Sequence, residues 1–222
     1  MSQAQGLFTY PPHAAFGRVL AKSKIYEQAR PSKAVRALFV SQVEQITWTY
    51  KLAPETINLA ATPGVPEIEV FEVTLKTQKL DLSVLRCIDK AIPFPIVFQL
   101  RHKSRIQPIA AYKRISDADA SQWVVSDYFS APWQPEGSKP PLPVALDLRG
   151  LYEQLLRPLM PMPAHAGETL RQHVDRATLL RSKQTESDKL AARLAREKQF
   201  NRKVELNAQL RTIRKELNSL TA

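Results

Sequence analysis

The C-terminal stretch of the chain reads, from Gly167 to Leu220, GETLRQHVDRATLLRSKQTESDKLAARLAREKQFNRKVELNAQLRTIRKELNSL. After its first residue it contains neither proline nor glycine, the two residues that most disfavour a helix interior. Thr169 and Gln172 have the T-x-x-Q spacing of a capping box, which marks a helix start. We therefore predict a helix over residues 168–222, which would be about 80 Å long if it is continuous. The polar run 182–189 leaves open a division into two helices.

The apolar residues of this helix fall into two groups. Residues of the second group alternate spacings of four and three, which is typical of a coiled-coil seam. At about 100° per residue the groups lie on nearly opposite sides, so either the helix bends near residues 201–207 or two different surfaces bind it. We predict that both groups bind a partner protein or a second copy of the chain; a helix folded back on its own domain is the alternative. The first group is Leu190, Leu194, Phe200 and Val204, and the second is Leu206, Leu210, Ile213, Leu217 and Leu220.

The same helix carries most of the positive charge of the protein. The chain has a net charge of +11, and residues 171–222 hold 13 Lys+Arg against 6 Asp+Glu. Such a surface suits an anionic partner, and contacts to DNA phosphates would give affinity without sequence specificity. The interleaved Glu197, Glu205 and Glu216 are equally typical of a solvated helix face. The candidate DNA contacts are Arg193, Arg196, Lys198, Arg202, Lys203, Arg211, Arg214 and Lys215.

The rest of the chain alternates helical and extended patterns. Three-to-four spacing of apolar residues predicts a helix ending near Leu52, and Asp81 is a suitable N-cap for a helix that the prolines of Pro93-Phe94-Pro95 terminate. Another amphipathic helix follows at 146–159. Four apolar segments predict strands: 67–77, 96–100, 106–115 and 123–129. This order predicts an α+β fold, with a small and mostly antiparallel sheet of about four strands packed with helices.

We divide the chain into an irregular N-terminal arm (1–30), an α+β body (31–160), a hinge (161–167) and the long basic helix (168–222). Cys87 is the single cysteine, so an internal disulfide and a cysteine-based zinc site are excluded, and we expect a reducing, cytoplasmic setting. No run of residues approaches the length of a membrane span. The four histidines lack metal-ligand spacing and no glycine-rich phosphate loop exists, so the sequence predicts neither a metal nor a cofactor.

Three segments carry a resemblance to a known family. They are residues 48–58 (WTYKLAPETIN), 88–96 (IDKAIPFPI) and 197–207 (EKQFNRKVELN). Together they resemble a bacterial and archaeal family of unknown function, and the resemblance covers most of the chain, including the long helix. Members of that family tend to be encoded near Swi/Snf-type helicases and type III-like DNA methyltransferases. The resemblance therefore implies a place in a restriction or antiphage defence cluster, and it supplies no catalytic residues.

A nuclease is the main catalytic alternative. The predicted strand 67–77 carries Glu67, Glu69, Glu72 and Lys76. Its two-residue period places Glu72 and Lys76 on one face, and strand carboxylates hold the metal in many nucleases while a lysine assists. The two residues are four positions apart rather than two, and no upstream aspartate pairs with them, so a solvated strand face explains the pattern more simply.

From these observations we expect a non-enzymatic accessory subunit of a DNA-targeting defence system. Its C-terminal helix would bind a helicase or methyltransferase of the same gene cluster, or a second copy of the chain, and its basic face would assist DNA binding. The alternatives are a metal-dependent nuclease centred on Glu72 and Lys76 and a purely structural, self-assembling protein.

Overall fold

The computed structural model describes residues 6–221, and the chain divides between Met160 and Pro161 into two compact units. Within the described residues there are seven strands and seven α-helices. The strands are β1 (Ala15–Val19), β2 (Val43–Leu52), β3 (Ile68–Leu75), β4 (Ile96–His102), β5 (Arg105–Ile115), β6 (Trp123–Ser130) and β7 (Gln134–Pro135). The helices are α1 (Lys22–Ala29), α2 (Lys33–Gln42), α3 (Pro54–Ile57), α4 (Leu82–Ala91), α5 (Leu148–Leu156), α6 (Leu170–Arg196) and α7 (Phe200–Thr221).

All seven strands belong to one sheet in the first unit. Their order is β1-β2-β3-β4-β5-β6, and β7 pairs with β5. Every pair is antiparallel except β3 with β4, which α4 connects as a crossover. The predicted α+β fold with a mostly antiparallel sheet is confirmed, but the predicted number of about four strands is too small.

One face of the sheet forms the main core with α1, α2 and α4. Phe39, Leu85 and Ile88 of the helices are fully buried against strand residues. A row of aromatic rings crosses the sheet on this face, with centroid separations of 5.9, 6.3 and 6.4 Å between successive members. The row consists of Trp48, Phe71, Phe98 and Tyr128. These rings span β2, β3, β4 and β6, so the core depends on pairings that are distant in the sequence.

The predicted helix that ends near Leu52 is wrong in its second half. Helix α2 stops at Gln42 and the chain continues directly as β2. The segment VEQITWTYKL is rich in β-branched and aromatic residues, and it pairs with β1 on one side and β3 on the other. The pairing with β3 overrides a spacing that fits a helix equally well.

The other two unpredicted strands have weak local signals. Strand β1 is exposed along its whole length and lies in the predicted irregular arm, together with α1. Strand β7 contains two residues of the proline-rich loop. Residues 1–5 of the arm and residue 222 of the predicted C-terminal helix lie outside the described residues.

Candidate nucleic-acid interface

The C-terminal unit is built on two helices rather than one continuous rod. Thr169 begins α6 with the predicted capping box: its hydroxyl accepts a hydrogen bond from the Gln172 N–H at 3.3 Å, and the Gln172 side chain accepts one from the Thr169 N–H at 3.0 Å. The polar run 182–189 is helical. The break comes later, between α6 and α7, at residues 197–199.

Glu197 makes this turn without glycine or proline. Its backbone is extended (φ −71°, ψ 137°), and its carboxylate accepts hydrogen bonds from the N–H groups of Lys198 and Gln199 at 2.8 and 2.9 Å. These bonds stabilise the carboxylate and lower the pKa of Glu197. The side chain thus satisfies backbone donors that precede α7, as a capping residue does.

Helix α7 runs back along α6 to form an antiparallel hairpin. Lys183 of α6 forms an ion pair of 2.7 Å with Glu216 of α7, and Arg176 near the start of α6 donates a 2.8 Å hydrogen bond to the Leu220 carbonyl near the end of α7. A buried apolar cluster lies between the two helices. It consists of Leu190, Leu206, Leu210 and Ile213, with Ala191, Leu194 and Leu217 packed against it.

The predicted partner-binding residues therefore separate into two sets. Most residues of the predicted seam are used inside the hairpin: Leu206, Leu210 and Ile213 belong to the cluster, and Leu217 packs against it, as does Leu194 of the first group. Leu220 is half-buried. Phe200 and Val204 do not join the cluster, and they are 77% and 54% exposed. The hairpin packs α7 on α6, which differs both from a seam that binds a partner and from a helix folded back on its own domain.

A second ion pair holds the base of the hairpin. The Arg176 guanidinium donates to both carboxylate oxygens of Glu168, at 2.8 Å from Nε and 2.7 Å from Nη2. This two-point contact lowers the pKa of the Glu168 carboxyl to about 2. His173 is buried nearby, and its Nε2 lies 2.9 Å from the Met162 carbonyl oxygen. Because Arg176 also bonds the Leu220 carbonyl, one side chain joins the beginning of α6 to the end of α7.

All eight predicted DNA-contacting cations are exposed. Five of them surround the turn between the helices: Arg193, Arg196, Lys198, Arg202 and Lys203. We call these five residues, with Phe200 and Val204, the hairpin tip. The single acidic residue between positions 193 and 204 is Glu197, whose carboxylate is already bonded to the backbone. The tip therefore combines concentrated positive charge with two exposed apolar side chains. Arg211, Arg214 and Lys215 lie further along α7.

The residues of the nuclease hypothesis lie on β3 and just beyond it, and they contact different partners. The Glu72 carboxylate is 2.8 Å from Nη2 of Arg101, while the Lys76 ammonium donates a 2.9 Å hydrogen bond to the Val40 carbonyl. In residues 6–221, no group of three or more His, Cys, Asp or Glu side chains is arranged to hold a metal ion.

The neighbouring Glu69 is unusual. It is 1% exposed, and neither carboxylate oxygen has a hydrogen-bond partner among the described residues. Burial, reinforced by the nearby Glu67, raises its pKa to about 9. Glu69 therefore carries a proton at neutral pH.

Sequence reasoning missed a buried polar cluster between α4 and β5. Lys113 is 1% exposed, and its ammonium donates hydrogen bonds to the Asp89 carbonyl at 2.5 Å and to the Ile92 carbonyl. It also forms an ion pair of 3.5 Å with the Asp89 carboxylate. The Tyr128 hydroxyl donates to the other oxygen of the same carboxylate. Burial raises the pKa of Asp89 and lowers that of Lys113, and each effect is opposed by the partner's charge. The ammonium thus caps the C-terminal carbonyls of α4, where a cation is favourable.

An open cavity of about 740 Å³ lies over this cluster. Besides Asp89 and Lys113, its lining includes Gln28, Arg86, Lys90, Gln122 and Trp123. The sequence did contain one signal for the cluster, because Lys113 occupies the same face of β5 as the buried Ala111 and Ile109. A lysine at such a position requires buried acceptors.

Comparison with known proteins identifies the family of the chain. The family model described as Domain of unknown function (DUF4391) matches residues 8–217. The chain belongs to this family. No curated protein and no solved structure matches the chain. The resemblance to a family of unknown function over most of the chain is thus confirmed, and the DUF4391 match includes both the hairpin tip and the Asp89–Lys113 cluster. No helix in the described part of the chain is long and apolar enough to cross a membrane.

Proposed function

We propose that this DUF4391 protein is a non-enzymatic accessory subunit of a DNA-targeting assembly, and that its hairpin tip holds DNA by the phosphate backbone. The observation that carries the proposal is the composition of the tip. Five exposed cations lie around one turn, and the only carboxylate among them is engaged by backbone N–H groups. The tip therefore carries five positive charges against one negative charge, and this excess attracts a phosphate.

The physical basis is the release of counterions from DNA. Each phosphate that a lysine or arginine neutralises releases condensed cations, so affinity falls steeply with salt. If all five cations contact phosphates, affinity should fall about 500-fold between 50 and 200 mM salt. Phosphate contacts carry no sequence information, so the binding should be largely independent of base sequence.

We also propose that the protein binds a protein partner. The family resemblance implies a helicase or a methyltransferase of a defence cluster, and a second copy of the chain is the other candidate. Because the hairpin uses its leucine seam internally, such a partner must contact exposed faces rather than that seam. Static light scattering of the full chain separates the two candidates: an oligomer identifies self-assembly, and a monomer directs the search to the neighbouring gene products.

The experiment is a fluorescence anisotropy titration of labelled DNA at several salt concentrations. The tip variant replaces Lys198, Arg202 and Lys203 with alanine. The control variant removes the same number of charges from exposed positions further along α7: Arg211, Arg214 and Lys215. We expect the tip variant to lose affinity on the order of 100-fold at 100 mM salt, with the slope of log K against log salt reduced by about 2.7.

The control variant should lose less than about threefold, because its charges lie outside the proposed contact. Equal losses in the two variants would show that DNA responds to total charge rather than to the tip, and the proposal would fail. Absence of salt-dependent binding by the native chain would refute it as well.

A further inference from the structure

The tip holds an aromatic ring that phosphate binding does not explain. Phe200 is the first residue of α7, and at 77% exposure it is the most exposed phenylalanine among residues 6–221. Val204, one turn later on the same side of α7, is 54% exposed. Leu206, Leu210, Ile213 and Leu217 of α7 pack with residues of α6, whereas Phe200 and Val204 form a separate apolar spot beside the cations.

A surface that combines cations with an exposed aromatic ring distinguishes single-stranded from double-stranded nucleic acid. A duplex presents phosphates to a basic surface, but its bases are stacked on each other and their flat faces are inaccessible. An unpaired strand presents both phosphates and base faces, and proteins bind it by pairing a cationic groove with exposed aromatic rings. Phe200 lies between Arg196 and Lys198 before it and Arg202 and Lys203 after it, so cations flank the ring on both sides in the sequence.

We propose that the hairpin tip binds single-stranded nucleic acid, with Phe200 stacking on an unpaired base while the neighbouring cations hold the adjoining phosphates. This inference rests on the proposed function and specifies its substrate. Val204 supplies an apolar contact beside the ring. The expected ligand is an unpaired polynucleotide, and DNA and RNA are separate arms of the test.

The test uses the full chain and three labelled probes: a 20-nucleotide oligo-dT, a 20-base-pair duplex and a 20-nucleotide oligo-rU. Affinities are measured by anisotropy at one fixed salt concentration. The variants are Phe200→Ala, Phe200→Leu and Phe200→Trp. Leucine keeps an apolar side chain without a ring, whereas tryptophan offers a larger ring. Because Phe200 is exposed and outside the buried cluster, each variant should keep the native helix content in far-UV circular dichroism.

We expect oligo-dT to bind more tightly than the duplex. Phe200→Ala should weaken oligo-dT binding by about 5- to 150-fold, which is the range observed for loss of one base–aromatic stack. Phe200→Leu should lose a similar amount, and Phe200→Trp should bind at least as tightly as the native chain. Duplex affinity should change by less than about twofold in all three. The tryptophan fluorescence gained in Phe200→Trp should be quenched by oligo-dT.

The outcomes separate this inference from the proposed function. No binding of any probe overturns both. Equal binding of oligo-dT and duplex, unaffected by Phe200→Ala, leaves phosphate binding intact and overturns the single-strand assignment. Full affinity in Phe200→Leu overturns stacking, since an apolar contact alone would then suffice. A preference for oligo-rU over oligo-dT identifies RNA as the ligand, in which case the single-strand assignment holds and the DNA proposal fails.

Discussion

The buried hydroxyl of Tyr152 completes the edge of a central strand. The pairing of β5 with β4 ends at Ala110 opposite Val97, and the next backbone groups on that edge of β5 belong to Ala111 and Lys113. The Tyr152 hydroxyl donates to the Ala111 carbonyl at 2.8 Å and accepts from the Lys113 N–H at 2.9 Å. One side-chain oxygen from α5 thus replaces a missing strand neighbour.

Tyr152→Phe removes this oxygen and little else. Both backbone groups belong to buried residues, so the substitution leaves a buried donor and a buried acceptor without a partner. Each unsatisfied group costs about 1–3 kcal/mol, and together they predict a loss of about 2–6 kcal/mol of unfolding free energy. Few single substitutions of equal shape cost so much.

Tyr26→Phe is the matched control. The Tyr26 hydroxyl is buried and has no hydrogen-bond partner among the described residues, so its removal should leave stability unchanged or slightly higher. Urea unfolding followed by tryptophan fluorescence suits both variants, because Trp48, Trp123 and Trp133 all lie in the first unit and report on it alone. A loss below about 1 kcal/mol in Tyr152→Phe, or equal losses in the two variants, would refute the reasoning.

Two further predictions test the charge and packing of the other regions. The folded-state pKa of Glu69, about 9, lies above its ordinary value of 4.5, so its stabilising contribution is complete below pH 4.5 and is lost as pH rises towards 9. Glu69→Gln should therefore gain stability relative to the native chain by up to about 1.4 kcal/mol per pH unit between pH 5 and 8, and a difference independent of pH would contradict the buried acid. In the hairpin, Leu210 is 4% exposed, so Leu210→Asp should cost at least the roughly 2–5 kcal/mol of a buried leucine truncation and should open α7 to hydrogen exchange. Phe200→Asp should change exchange in α7 little, and equal effects of the two aspartates would show that the seam does not hold the hairpin.

Local signals in the sequence were enough to predict much of the sheet. Strands β3, β4, β5 and β6 are apolar segments bounded by turns, and each was predicted within two residues of its observed ends. Helix α4 was also predictable: Asp81 accepts the Ser83 N–H at 2.9 Å as an N-cap, and Pro93 follows the helix closely. These elements can be predicted because their apolar pattern, caps and flanking prolines all lie within or next to the element.

What escaped prediction depends on distant partners. Strand β2 has a spacing that fits a helix, and it became a strand because β3 offers a pairing edge. The hairpin turn at residues 197–199 lacks glycine and proline, and only the change of side between the two apolar groups indicated a bend. Of the first group, Leu190 and Leu194 pack with residues of the second group, whereas Phe200 and Val204 lie outside the buried cluster. Periodicity locates apolar faces, but it does not say which faces meet.

The hairpin also changes what the basic residues can do. Along a continuous rod, the basic residues from Arg171 to Lys215 would be spread over about 66 Å and would follow a long stretch of duplex. Folded into a hairpin, five cations lie around one turn, where they can reach only a few phosphates. So few contacts give a dissociation constant no tighter than about 10⁻⁴–10⁻⁶ M at physiological salt. Binding of that strength is useful when another subunit already holds the nucleic acid, because tethering raises the effective concentration at the tip to the millimolar range. A small basic tip therefore suits an accessory subunit better than a protein that must find DNA alone.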